Sequence, residues 1–158
     1  MLKKIVSGGQ TGVDRAALDS AIRHAIPHGG WCPRGRRAED GVIDAVYELV
    51  ETPGHEYSQR TEYNVRDADG TLILKMGRLE GGTAFTARVA AAAGRPCLIV
   101  DLSAPADLEV IRTWLDENHI RVLNIAGPRA SKSPGIYARA TEELDRMLNR
   151  LLDSDISP

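Results

Sequence analysis

Aromatic side chains are scarce in this chain: one phenylalanine, two tryptophans and four tyrosines make up 4% of it. So few rings offer little platform for stacking unpaired bases, and a net charge of -2 exerts no pull towards nucleic acid or an anionic membrane. Long apolar runs are missing too, since no stretch approaches the roughly eighteen residues of a membrane-spanning helix. There is no signal-peptide or lipidation pattern. Two cysteines, Cys32 and Cys97, show no zinc spacing, and His24, His28, His55 and His119 form no metal pattern. These absences point to a reducing cytoplasm, disfavour nucleic acid, and give no reason to expect a membrane partner or a metal ligand. What is present suits a soluble globular protein of 158 residues, 42% hydrophobic and 27% charged. That length fits a single domain over residues 1–158 with a substantial core.

The most informative stretch opens the chain. Lys4-Ile5-Val6 is a short apolar run that breaks at Ser7-Gly8-Gly9-Gln10-Thr11-Gly12, and a helical pattern follows from Val13. Paired glycines allow a tight turn and close approach of another group, while the helix start offers unpaired N–H groups and the positive end of its dipole. Strand, glycine turn and helix N-terminus together suit an anion, phosphate above all. The motif is neither a Walker sequence nor a true G-x-G-x-x-G, so it specifies no ligand. A local reading stands beside it: Thr11 caps the helix, Asp14 completes a capping box, and Arg15 pairs with Asp19.

Further along, a helix is predicted over about residues 12–25 and a strand over 28–32, stopped by Pro33. Arg34-Gly35-Arg36-Arg37 then offers cations either to an anionic ligand or to solvent. Residues 38–56 fit no regular pattern beyond a short strand at 46–50, which marks a functional loop or an interface segment. A polar helix is predicted over 58–67, a buried strand over 71–74, and an alanine-rich helix from Gly81-Gly82-Thr83 to Ala93 with Gly94 as its stop. A strand over 96–100, a helix over 104–118, a strand over 121–126 and a helix from Ser133-Pro134 to about 152 complete the series. Asp101 suits either a ribose hydroxyl or, with Ser103, the cap of the next helix. Cys32, near cations, is either a thiolate or a buried inert thiol.

Strands alternating with helices demand a mainly parallel sheet, here of about five strands, covered on both faces. In such sheets the loops after the strands' carboxyl ends line one crevice, where ligands bind. Three loops hold that position. Ser7, Gly8, Gly9, Gln10, Thr11, Gly12 and Arg15 belong to the first, Gly81, Gly82 and Thr83 to the second, and Arg129, Ser131, Lys132 and Ser133 to the third. With Arg34 they form the candidate ligand set.

At Ser7-Gly8-Gly9-Gln10-Thr11-Gly12-Val13-Asp14-Arg15 and Gly81-Gly82-Thr83 the chain resembles the LOG/SLOG superfamily of Rossmann-like nucleotide-binding proteins. More narrowly it is similar to its circularly permuted branch, whose members are named as molybdenum (cofactor) carriers. The segments 30–41, 60–67 and Asn124-Ile125-Ala126-Gly127-Pro128-Arg129 carry the same resemblance. It implies a Rossmann-like three-layer αβα sandwich. It also implies a cytoplasmic homo-oligomer, dimer or tetramer, that holds molybdenum cofactor or another nucleotide or phosphate-containing ligand and serves molybdoenzymes. Phosphoribohydrolases of the superfamily place a glutamate shortly after the glycine-threonine turn. Here Ala84-Phe85-Thr86-Ala87-Arg88 follows, without an acid, which speaks against that catalysis unless Glu80, Asp14 or Asp101 substitutes. The alternatives are a nucleotide-binding sensor and a nucleotide-cleaving enzyme.

Overall fold

A computed structural model describes residues 1–156. Residues 157 and 158, which the single-domain expectation includes, lie outside the described residues. In chain order the elements are β1 (Lys4–Val6), α1 (Val13–Arg23), β2 (His28–Gly29), β3 (Trp31–Cys32), β4 (Arg37–Ala38), β5 (Gly41–Val42) and β6 (Val50–Glu51). They continue as α2 (Tyr57–Asp67), β7 (Gly70–Lys75), α3 (Gly81–Ala92), β8 (Cys97–Asp101), α4 (Leu108–Glu117), β9 (Val122–Ala126) and α5 (Ile136–Ile156). Five strands form one parallel sheet in the order β2-β1-β9-β7-β8, with Ile5 opposite Leu123 and Thr71 opposite Asn124. This is the α/β Rossmann-like architecture expected from the alternation.

Side chains alternate across a strand, and the two faces of this sheet differ in chemistry. Ile5, Leu72, Leu74, Leu123 and Ile125 join Val13, Ala16, Ala17, Ile111, Leu115, Ile136, Leu144 and Leu148 in one aliphatic core under α1, α4 and α5. Burying each of these larger aliphatic side chains contributes about 1.5–3 kcal/mol. The opposite face carries Thr71, Ile73 and Asn124 and is covered by α2 and α3, which pack on each other. Those helices bury Asn64, Val65, Thr83, Thr86 and Ala90 beneath them. Apart from residues such as Ser20 in α1 and Glu143 in α5, the buried polar groups cluster on the second side, and there the interior opens.

Several local expectations shift. The strand predicted over 28–32 divides: β2 stays in the main sheet, while β3 leaves it and pairs in parallel with β6. Only Val50 of the predicted 46–50 strand is extended into a ladder. Residues 46–49 turn instead, because Arg36 satisfies their backbone: its guanidinium donates to the carbonyls of Ile43, Asp44, Tyr47 and Leu49. The basic run therefore spends Arg36 on holding its own loop. The final helix starts at Ile136, not at Ser133-Pro134, because Gly135 has φ +82° and the Lys132 and Ser133 N–H groups close a turn on Arg129 O.

Asp101 does not cap α4 as the sequence suggested. Asp107 does, accepting from the N–H groups of Glu109 (3.0 Å) and Val110 (3.3 Å), a contribution of about 1 kcal/mol. Asp101 instead accepts from the Ser103 hydroxyl (2.6 Å), the Ser103 N–H (2.9 Å) and Lys75 Nζ (3.0 Å). Those bonds, the hydroxyl's foremost, lower its carboxyl from 3.8 to about 2. Because the folded value lies below the unfolded one, this support is complete above pH 3.8 and is lost as pH falls through about 2. In an NMR titration the Asp101 carboxyl should show its midpoint near 2 and move up towards 3.8 in Ser103→Ala. An unchanged midpoint in the variant would refute the assignment.

Candidate functional site

One cavity of about 580 Å³ lies over the carboxyl ends of β1, β9 and β7, on the polar side of the sheet under α2 and α3. Its volume falls in the range of small-molecule and cofactor sites, about 300–1,000 Å³. From the predicted set it gathers Gly8, Gln10, Gly81, Gly82, Thr83, Arg129, Lys132 and Ser133, so segments far apart in sequence share one wall.

The three loops contribute differently. The first is largely satisfied from within. Gly12, not Thr11, stands at the N-cap of α1, and no side chain caps that helix. The Val13 N–H donates to Pro128 O and the Arg15 N–H to Gln10 O, so the protein itself fills the anion-suited end of α1. Asp14 accepts from the Gln10 N–H at 3.2 Å, the remnant of the expected capping box. A Cβ on Gly8 would lie 2.2 Å from Arg60 Nη1. Glycine is needed there so that Arg60 can cross the turn and reach Asp14 at 3.1 Å, and no phosphate has to approach it. Ser7 is fully buried and donates to Ile125 O. Gly9 faces the side chains of Leu49 and Ile43.

Arg15 does not pair with Asp19. It donates to Gly9 O and to Asp40, while Asp19 accepts from the hydroxyls of Tyr47 and Tyr137, each at 2.6 Å. Thr11 and Ser131 both bind Glu39, as does Arg129 at 3.5 Å. Partial burial pushes the Glu39 carboxyl up, but the Ser131 and Thr11 hydroxyls and the Ser131 N–H pull it below the usual range. Glu39 thereby clasps the long loop after β3 to the first and third ligand loops. Arg34 is exposed and does not line the cavity. Cys32 is buried, and burial raises its thiol, which is the inert alternative.

The second loop is open. Glu80, the residue before α3, makes no side-chain cap, and a Cβ on Gly81 or Gly82 would meet nothing within 4 Å. The leading N–H groups of α3 therefore point into the cavity together with Thr83. Thr83 is 93% buried and lines the same cavity. Arg78, Arg129 and Lys132 supply positive charge around the same space.

Sequence reasoning did not place Asp14, Arg60, Asn124, Tyr57, Thr61 and Asn64 in the ligand set, although all line the cavity. A signal existed: Tyr57, Arg60, Thr61 and Asn64 recur at helical spacing where an aliphatic stripe would normally cover a sheet. Asn124 likewise interrupts an apolar strand. Burial is the chief influence on the Asp14 carboxyl and raises it, against the opposing pull of Arg60 and the Gln10 N–H.

The family described as "Circularly permutated YpsA SLOG family" matches residues 5–148. A crystal structure named "Putative molybdenum carrier protein", from Syntrophus aciditrophicus SB, is 50% identical in sequence with a TM-score of 0.88. The match covers 93% of this chain and 94% of that one. No curated protein matches the sequence. No helix among the described residues is long and apolar enough to cross a membrane. A match over that length, on a fold whose glycine-led helix opens into a crevice at the strand ends, fixes the affiliation: the chain belongs to the circularly permuted YpsA SLOG family.

Proposed function

We propose that this protein binds and carries a phosphorylated cofactor, molybdenum cofactor foremost, with the phosphate seated at the N-terminus of α3. The observation that carries the reading is the open start of α3, with Gly81, Gly82 and Thr83 facing a cavity ringed by Arg78, Arg129 and Lys132. Helix N–H groups, a hydroxyl and nearby cations are what a phosphate needs. The carrier name of the structural relative supports molybdenum cofactor as the cargo. In this reading the protein works in the cytoplasm as a homo-oligomer and hands its cargo to molybdoenzymes.

Calorimetric titration with molybdenum cofactor, AMP, ADP-ribose and NAD tests it, and no heat with any of them would reject it. Gly82→Asp puts bulk and like charge where phosphate would sit. Binding should weaken about a hundredfold or more, since like charges in a binding interface cost several kcal/mol. The open space around Gly82 means the fold should tolerate the change, and Gly82→Ala serves as the control. Unchanged affinity in Gly82→Asp would count against the site.

A nucleotide-cleaving reading has one observation behind it, because Asp14 and Glu80 both line this cavity. Release of base or phosphate from a nucleotide, abolished by Asp14→Asn or Glu80→Gln, would favour it over the carrier.

A further inference from the structure

Around Asp14 the cavity wall holds polar groups with bonding capacity that the protein does not use. Asp14 is 6% exposed and accepts two hydrogen bonds, from the Gln10 N–H and Arg60 Nη1, both at Oδ2. The Ser7 hydroxyl lies near the carboxylate, but its proton goes to Ile125 O. A carboxylate offers about four acceptor positions, so Asp14, which lines the cavity, keeps unused acceptor capacity. Donors flank it. Gln10 is held through Oε1, which accepts from the N–H groups of Thr11 (3.0 Å) and Glu39 (2.9 Å), and this leaves its Nε2 without a partner among the described residues. Arg60 gives Nη1 to Asp14, and among the described residues its Nε and Nη2 make no hydrogen bond. By contrast the Asn64 amide is held through both its oxygen and its nitrogen by the Trp31 backbone.

A buried carboxylate acceptor beside guanidinium and amide donors complements one kind of heterocycle edge: a ring carbonyl, then a ring N–H, then an amino group. Arg60 or Gln10 donates to the carbonyl, and the Asp14 carboxylate accepts from the N–H and the amine. Guanine and pterin rings both carry that edge. Adenine has no ring N–H there, and its ring nitrogen would set a lone pair against the carboxylate. We infer that Asp14, oriented by Arg60 and the Gln10 N–H, is the residue that selects an amino-lactam heterocycle over an adenine-type one. The inference rests on the proposed phosphate seat at α3 and adds to it the identity of the ring.

The test is calorimetry of the full chain with GMP, IMP, AMP and neopterin monophosphate. GMP or the pterin phosphate should bind at least about tenfold more tightly than AMP, because a site built to bond N–H groups discriminates strongly against a ring without them. Which of the two binds more tightly distinguishes the nucleotide from the pterin source. Asp14→Asn should bring GMP and AMP to within about twofold of each other, since one acceptor becomes a donor. Should that variant not fold, IMP decides on the native protein: it keeps the N–H but lacks the amine, and should fall between GMP and AMP. AMP equal to or tighter than GMP and the pterin phosphate would overturn the ring assignment. If Gly82→Asp still abolished that binding, the phosphate seat would stand without it. No binding by any of these ligands or by molybdenum cofactor would remove both.

Discussion

Arg60→Ala is expected to destabilise the protein by about 3–5 kcal/mol, far more than the loss of an ordinary surface pair. Its guanidinium and the Asp14 carboxylate are each close to nine-tenths buried, with side-chain exposures of 13% and 8%. Removing the cation leaves a charge under the cavity floor with the Gln10 N–H, the nearby Ser7 hydroxyl and the more distant Arg15 charge to hold it. Burial already drives the Asp14 carboxyl upward, and without Arg60 it should take up a proton at a still higher pH. A carboxyl raised in the folded state withdraws stability as pH rises through its folded value, so the deficit of Arg60→Ala should grow with pH. The double variant Arg60→Ala/Asp14→Asn removes the stranded charge and should recover part of the loss. Denaturant unfolding at two pH values measures all of this. A cost below about 1 kcal/mol in the single variant would mean that the pair behaves as an exposed one.

Gly12→Ala should be comparably damaging for a different reason. Gly12 has φ +80°, and a Cβ there would lie 2.3 Å from Pro128 O and 2.9 Å from the Ala130 N. The left-handed backbone alone costs roughly 1–2 kcal/mol for a residue with a side chain. The collision adds to that, because neither loop can retreat: Val13 N–H holds Pro128 O, and Thr11 Oγ1 holds the Ala130 N–H at 3.1 Å. A total of about 3 kcal/mol or more follows, and the third ligand loop should be displaced with it. Gly135→Ala isolates the backbone part, since Gly135 has φ +82° with nothing within 4 Å of a Cβ. Equal unfolding midpoints for the two variants would show that the collision contributes nothing.

Layer order and the alternation of strand and helix were legible in the sequence, because apolar runs and glycine stops encode them directly. So was the meeting of the Gly8, Gly82 and Lys132 segments, which follows from parallel strands sending their loops to one end. The division of labour among those loops was not. Ser7-Gly8-Gly9-Gln10-Thr11-Gly12 reads as a phosphate turn, yet its glycines make room for Arg60, Leu49 and Pro128. Packing partners forty or more residues away set that outcome, and local spacing carries no record of them. Residues 38–56 were opaque for a related reason, since side chains such as Arg36, Glu39 and Tyr47 hold them in place of a backbone ladder. The polar stripe on α2 was visible but pointed inward to ligand-facing space, where a solvated helix face was the simpler expectation.

The position of β9 has a consequence for synthesis. It is the last strand along the chain and the middle one in the sheet, joining β1 and β2 on one side to β7 and β8 on the other. Until residues 122–126 leave the ribosome, the growing polypeptide holds two separate parallel pairs with unsatisfied edges and cannot close the crevice between them. Completion of the sheet is therefore a late event on this polypeptide, and nascent chains stalled short of β9 are the species most exposed to wrong strand pairing.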